Sequence, residues 1–179
     1  YEHVRLGMNG RLDSLQAAVL LAKFDIFEKE MELRQKVAKR YSEAFSGRNG
    51  LTVPAVPQGL TSAWAQYTLL AQSGEHRQRI LKTLADSQIP SAIHYPKPIH
   101  RQPVFAPLGY RDGDLPVSEA ASQQVFSLPM HPYLKPSDQD LVIEAVLEAG
   151  SGHGRKASAD SGLLHPGRRL RQQLAVHPG

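Results

Sequence analysis

Between Leu12 and Phe45 apolar residues return every three or four positions, at Leu12, Leu15, Val19, Ala22, Ile26, Leu33, Val37, Tyr41 and Phe45, with one gap near Glu30. That spacing follows one face of an α-helix and predicts a single long helix. Asp13 or Ser14 offers the short side-chain oxygen that caps free amides of a first turn, and Gln16 stands three after Asp13 as in a capping box. The stop falls at Gly47 to Gly50, where glycine and asparagine tolerate positive φ. Polar residues fill the rest of the circumference, so this helix is expected to link two bodies rather than lie inside one.

The segments that follow are shorter. Residues 51–61 hold Pro54, Pro57 and Gly59 and read as a connector. Ala63 to Ala71 has strand composition, Glu75 to Ser87 places Ile80, Leu81 and Leu84 at helical spacing, and Pro90 to Tyr95 reads as a second strand. Alternation along the first strand puts Trp64 and Gln66 on one face and Ala65 and Tyr67 on the other, with core packing the favoured role for both aromatics. Pro96 to Arg111 is too rich in proline for regular structure and is expected to be a loop with fixed turns. A helix from Ser118, a short extended piece at Phe126 to Met130 and a last helix over Ser137 to Ala149 complete a small α+β layer. The domains expected are therefore 1–50, the long helix with what precedes it; 51–150, a small α+β domain; and 151–179, a tail without periodicity, expected to be disordered.

Charge is decided by location. Of the net +4, five basic residues of the tail, Arg155, Lys156, Arg168, Arg169 and Arg171, stand against Asp160 alone, which leaves residues 1–150 neutral. A basic tail without interleaved aromatics is a poor nucleic-acid site, so no nucleic-acid partner is expected. No apolar run approaches the roughly 20 residues of a membrane-spanning helix, and Tyr1 to Arg11 does not read as a signal peptide, so no membrane is expected. The absence of cysteine excludes disulfides and thiolate chemistry and is compatible with the cytoplasm. The chain starts without methionine, inside what reads as a working motif, and is expected to be a fragment.

Two stretches carry candidate chemistry. His94-Tyr95-Pro96-Lys97-Pro98-Ile99-His100 gathers two histidines, a tyrosine and a lysine at the end of a predicted strand. Such side chains donate to phosphate or sugar oxygens from loops held by rigid elements; from spacing alone, a turn in which Tyr95 and His100 cover the core edge is equally good. Gly7-Met8-Asn9-Gly10-Arg11 places an amide and a guanidinium before a helix N-terminus, where free amides favour anions; a plain helix start with a surface arginine is the commoner arrangement. His94, His100 and His131 have neither carboxylates nor a known ligand spacing beside them, so no metal is expected. No Gly-x-Ser-x-Gly elbow occurs, and no catalytic residue is assigned.

Five blocks in order, HVRLGMNGRLDSLQAA from His3, RQKVAKRY from Arg34, SAWAQYT from Ser62, IPSAIHYPKPIHRQP from Ile89 and FSLPMHPY from Phe126, resemble the DegT-type (DegT/StrS) sugar-nucleotide aminotransferases. The resemblance covers residues 1–149 and is strongest to the branch that aminates a UDP-linked 3-keto uronic acid sugar. It implies a fold-type I α/β enzyme using pyridoxal 5'-phosphate (PLP), of which this chain is the linking helix plus the small C-terminal domain. It implies a homodimer in which Asn9 reaches the cofactor phosphate of the neighbouring subunit and Arg11 lies near the substrate of that same site. His94 and Tyr95 match positions that contact the nucleotide sugar, with an amino donor such as glutamate and a role in polysaccharide or O-antigen (lipopolysaccharide) synthesis.

One departure matters. Transamination needs a Schiff-base lysine, which in that family lies upstream of Tyr1. None of the eight lysines here, at 23, 29, 36, 39, 82, 97, 135 and 156, has the family context; Lys97 suits a solvent or phosphate contact. The chain alone is expected to be inactive, the alternative being a non-catalytic remnant or dimerising sugar-binding module. Residues 151–179 match nothing in the family, and a frameshifted or fused end is one explanation for them.

Overall fold

The computed structural model describes residues 2–8, 10 and 12–150. Helix α1 runs from Ser14–Phe45. Asp13 caps it from extended backbone, its Oδ1 accepting from the Gln16 amide at 2.8 Å. The chain leaves α1 through Gly47, Asn49 and Gly50, all at positive φ. At Gly50 an added Cβ would also lie 2.6 Å from Gln72 Oε1, so besides the strained φ the Gln72 side chain would have to shift.

Among the described residues, the buried side chains of α1 all lie in its second half. Val37, Ala38, Tyr41 and Phe45 are buried, whereas Leu15, Val19, Phe24 and Ile26 are exposed. The three-to-four spacing correctly indicates a helix, but an apolar face says nothing of where its partner lies.

Strand β1 (Tyr67–Leu70) pairs antiparallel with β2 (Val125–Leu128), and isolated bridges flank the pair at Thr52 with Leu70 and at Ala92 with Ser127. The expected strand over 90–95 thus shrinks to one bridge, since Pro90 and Pro96 cannot donate to a ladder. The expected strand over 63–71 begins only at Tyr67. Trp64 has φ 48, which breaks the extended chain and its alternation, so Trp64 and Tyr67 are not on opposite faces. Both are buried, with ring centroids 5.6 Å apart. Helix α1 holds that turn: Arg34 Nη1 donates to the Trp64 carbonyl, Gln35 Nε2 to the Ser62 carbonyl at 2.6 Å, and Trp64 Nε1 to Gln35 Oε1 at 2.9 Å.

Helices α2 (Gly74–Asp86) and α4 (Pro136–Gly150) pack together, and α4 also lies against α1. The core between them and the sheet is Tyr41, Phe45, Tyr67, Leu69, Ile80, Leu84, Phe126, Val142 and Val146; each such side chain contributes about 1.5–3 kcal/mol of apolar burial. The Tyr41 hydroxyl donates to the Pro129 carbonyl, and that of Tyr67 pairs with Ser42 Oγ. Burial pushes both phenols above their ordinary range. Gln139 Nε2 donates to the Val37 carbonyl at 2.8 Å, fixing α4 on α1.

Helix α3 (Pro116–Gln124) ends on a buried arginine: Arg77 Nη1 donates to the Ser122 carbonyl at 2.7 Å and the Val125 carbonyl at 3.4 Å. A cation at a helix C-terminus offsets the dipole and satisfies its last acceptors. Pro96 to Arg111 contains two 3-10 helices, Ile99–Arg101 and Pro103–Leu108, within the expected loop. Among the described residues no helix is long and apolar enough to cross a membrane. The expectation of a disordered tail falls on residues outside those described.

Candidate functional site

The Ala92 bridge to Ser127 brings the chain to the sheet edge just before His94 and Tyr95. The Pro-rich loop then turns back across α3, and between them opens a cleft of about 910 Å³. His3, His94, Tyr95 and Lys97 supply its polar wall, and Phe105, Leu108, Tyr110 and Leu115 much of its apolar one. His94 also lines a smaller cleft of about 300 Å³ with Ser127 and His131. The Tyr95 side is 56% exposed, and its ring meets that of His94 edge-on with centroids 5.5 Å apart. Imidazole, phenol and ammonium groups on one wall are suited to accepting an oxygen-rich anion, with apolar surface available to a ring.

Gln102 ties the amino-terminal segment to this loop. Its side chain is buried, Oε1 accepts the His3 amide at 3.0 Å, and the Val104 amide donates to the His3 carbonyl at 3.0 Å. Lys97 Nζ reaches Glu2 Oε1 at 2.5 Å, so this lysine is engaged by a carboxylate within the chain. The segment that leads to Asn9 and Arg11 is thereby brought to the His94–Tyr95 loop. Asn9 and Arg11 themselves lie outside the described residues.

His100 also lines the cleft but is engaged within the chain. Its Nε2 lies 3.1 Å from Glu119 Oε1, and its ring meets Tyr110 at 5.6 Å. Glu119 also accepts from the amides of Gly113 and Leu115. The Gly113 amide first, then His100, and less strongly the Leu115 amide hold the Glu119 carboxyl below its ordinary range. The pair anchors the loop over residues 109–115 that closes the apolar end of the cleft. No group of three or more histidines and acidic residues that could hold a metal occurs among the described residues.

Sequence reasoning found His94, Tyr95 and Lys97 as loop donors but gave no role to His3, Gln102 or Glu119. Their roles depend on contacts across 99 positions for His3 with Gln102 and 19 for His100 with Glu119, and no local pattern encodes these.

The model of the DegT/DnrJ/EryC1/StrS aminotransferase family matches residues 1–147. The chain belongs to that family. It is 42% identical over 146 residues to the UDP-2-acetamido-2-deoxy-3-oxo-D-glucuronate aminotransferase of Pseudomonas aeruginosa, covering 82% of this chain and 39% of the relative. It is 39% identical over 150 residues to a pleiotropic regulatory protein of Geobacillus stearothermophilus. Among solved structures, a DegT/DnrJ/EryC1/StrS aminotransferase from Brucella abortus aligns with TM-score 0.67 at 45% identity, covering 82% of this chain and 38% of that one. Streptomyces venezuelae DesV, solved with a ketimine intermediate, aligns with TM-score 0.74 at 30% identity, covering 86% and 41%. The chain thus spans about 39% of the length of these curated relatives.

The described part of this DegT-family chain does not by itself fit a covalently held PLP. Lys29, Lys39, Lys82 and Lys97 are paired to Glu32, Glu43, Asp86 and Glu2, while Lys23, Lys36 and Lys135 are exposed. A lysine that holds a carbonyl cofactor needs a site that excludes water, and none of these has one.

Proposed function

We propose that this chain is the linking helix and small domain of a PLP-dependent aminotransferase that acts on a keto sugar carried by uridine diphosphate. The amino group comes from a donor such as glutamate, and the product serves surface-polysaccharide synthesis. The observation that carries this reading is the cleft wall of His94, Tyr95, Lys97 and His3, with its donors for diphosphate and sugar oxygens. PLP, when bound to the whole protein, supplies the electron sink and carries the amino group; its lysine belongs to a part of the protein beyond these residues. In a homodimer Asn9 serves the cofactor phosphate of the neighbouring subunit and Arg11 the substrate there.

Within the cleft, His94 and Tyr95 bind and orient the nucleotide sugar through N–H and O–H donors. Lys97 offers positive charge to the diphosphate once Glu2 gives way. The apolar wall excludes water and strengthens each of these bonds.

Titration of uridine diphosphate into the full chain, followed calorimetrically, tests the binding half. Saturable binding that weakens about tenfold in His94→Ala, the equivalent of about 1.4 kcal/mol, supports it; no binding, or binding indifferent to His94→Ala and Tyr95→Phe, overturns it. Incubation with PLP and borohydride, followed by intact mass, tests the lysine assignment. A single reduced adduct on one lysine together with turnover would show that the chain carries its own cofactor site.

A non-catalytic sugar-binding module is the second reading, favoured by the surface setting of the described lysines. Turnover of glutamate with a UDP-linked 3-keto sugar by the whole protein excludes it.

A further inference from the structure

Three segments converge behind His94. Thr68 of β1 and Ser127 of β2 are directly opposite in the ladder, and their hydroxyl oxygens lie 2.8 Å apart. Ser127 is 5% exposed, and its backbone exchanges both bonds with Ala92: the Ser127 amide donates to the Ala92 carbonyl at 2.7 Å and the Ala92 amide to the Ser127 carbonyl at 3.2 Å. That pair of hydrogen bonds fixes the chain two residues before His94, whose Nδ1 lies 3.4 Å from Ser127 Oγ.

The direction of the hydrogens follows from counting acceptors. A hydroxyl has one hydrogen to place and can accept as well. If Thr68 donates to Ser127, and Ser127 donates to Nδ1, both hydroxyl hydrogens have acceptors. If the chain runs the other way, from Nδ1–H to Ser127 and on to Thr68, the hydrogen of the half-buried Thr68 hydroxyl has no acceptor among the described residues and must turn to solvent. A hydroxyl with restricted access to water is better satisfied by an acceptor within the fold, which favours the first direction.

We propose that Thr68 and Ser127 form a hydroxyl relay that holds His94 in the tautomer with bare Nδ1 and protonated Nε2. Nε2–H is then the donor left for a ligand oxygen, and Thr68 and Ser127 are positioning residues for His94. The ligand consequence rests on the nucleotide-sugar reading above; the tautomer does not, and it is measured without ligand.

The measurement is the nitrogen NMR spectrum of the full chain with labelled histidine, at about pH 8.5, above the ordinary imidazole range. His94→Gln identifies the signals by their loss. The expected wild-type result is one dominant tautomer, with Nδ1 as the bare nitrogen and Nε2 protonated. Ser127→Ala and the near-isosteric Thr68→Val are both expected to move it to comparable populations of the two tautomers. Should Ser127→Ala fail to fold, Thr68→Val still decides, because it removes the first donor and keeps the shape. Protonated Nδ1 in the wild type overturns the relay, as does an unchanged tautomer in Thr68→Val. If the tautomer is found but uridine diphosphate does not bind, the relay stands and the nucleotide-sugar reading fails.

Discussion

The main-chain amide of His3 donates to the side chain of Gln102 at 3.0 Å, joining the amino-terminal segment to the loop that carries His94 and Tyr95. The Gln102 side chain is buried and also donates to the Lys97 carbonyl at 3.4 Å. One amide therefore sets the position of both.

Gln102→Leu removes the acceptor for His3 and frees residues 2–8. A net hydrogen bond of about 1 kcal/mol corresponds to several-fold more opening, so tryptic cleavage after Arg5 is expected to speed up several-fold. Gln102→Glu keeps the accepting oxygen and should lie closer to wild type. Equal cleavage rates in all three chains would show that this bond does not hold the segment.

Glu119 links acid to the loop over residues 109–115. Its carboxyl is held below the ordinary range by the Gly113 amide and then by His100, so the folded state binds its proton less readily than the unfolded state. The stabilisation is fully present above the ordinary carboxylate range, near 4.3, and is lost as pH falls through the lower folded value. Glu119→Gln should lower the melting temperature at neutral pH, with the gap to wild type narrowing below about pH 4. A gap that widens on acidification would contradict the assignment.

Arg77 caps α3 from inside the fold, with its guanidinium on the carbonyls of Ser122 and Val125. Arg77→Ala leaves those acceptors in a buried setting and should cost about 2 kcal/mol in chemical denaturation. Loss of less than about 0.5 kcal/mol would mean that solvent replaces the cap without penalty.

The first half of α1 exposes Phe24 at 64% and Phe27 at 49%, beside Leu20 and Leu21. A contiguous apolar face of this kind promotes association. The double variant Phe24→Glu and Phe27→Glu should bind less of a hydrophobic dye and shift sedimentation toward monomer, at nearly unchanged stability. Unaltered dye binding would place the exposed apolar surface elsewhere.

Much of the architecture is legible in the sequence because helices and caps are local. The three-to-four spacing up to Phe45, the Asp13 cap and the Gly47 to Gly50 stop give α1 to within two residues at its start and none at its end, and Ile80 with Leu84 marks the buried face of α2. The strands were less legible. A strand needs a partner, and Ala92 finds only a one-residue bridge between prolines.

The sequence by itself determined the elements, the loop donors His94 and Tyr95, and the family, since each rests on residues close together or on blocks in fixed order. Only the tertiary structure decided that Trp64 turns inward at φ 48 beside Tyr67, that Gln102 clasps His3, and that Thr68 and Ser127 stand behind His94. The physical reason is the same in each case. A buried polar group or aromatic ring takes its partner from whatever the fold brings within bonding distance, and that partner lies many residues away along the chain.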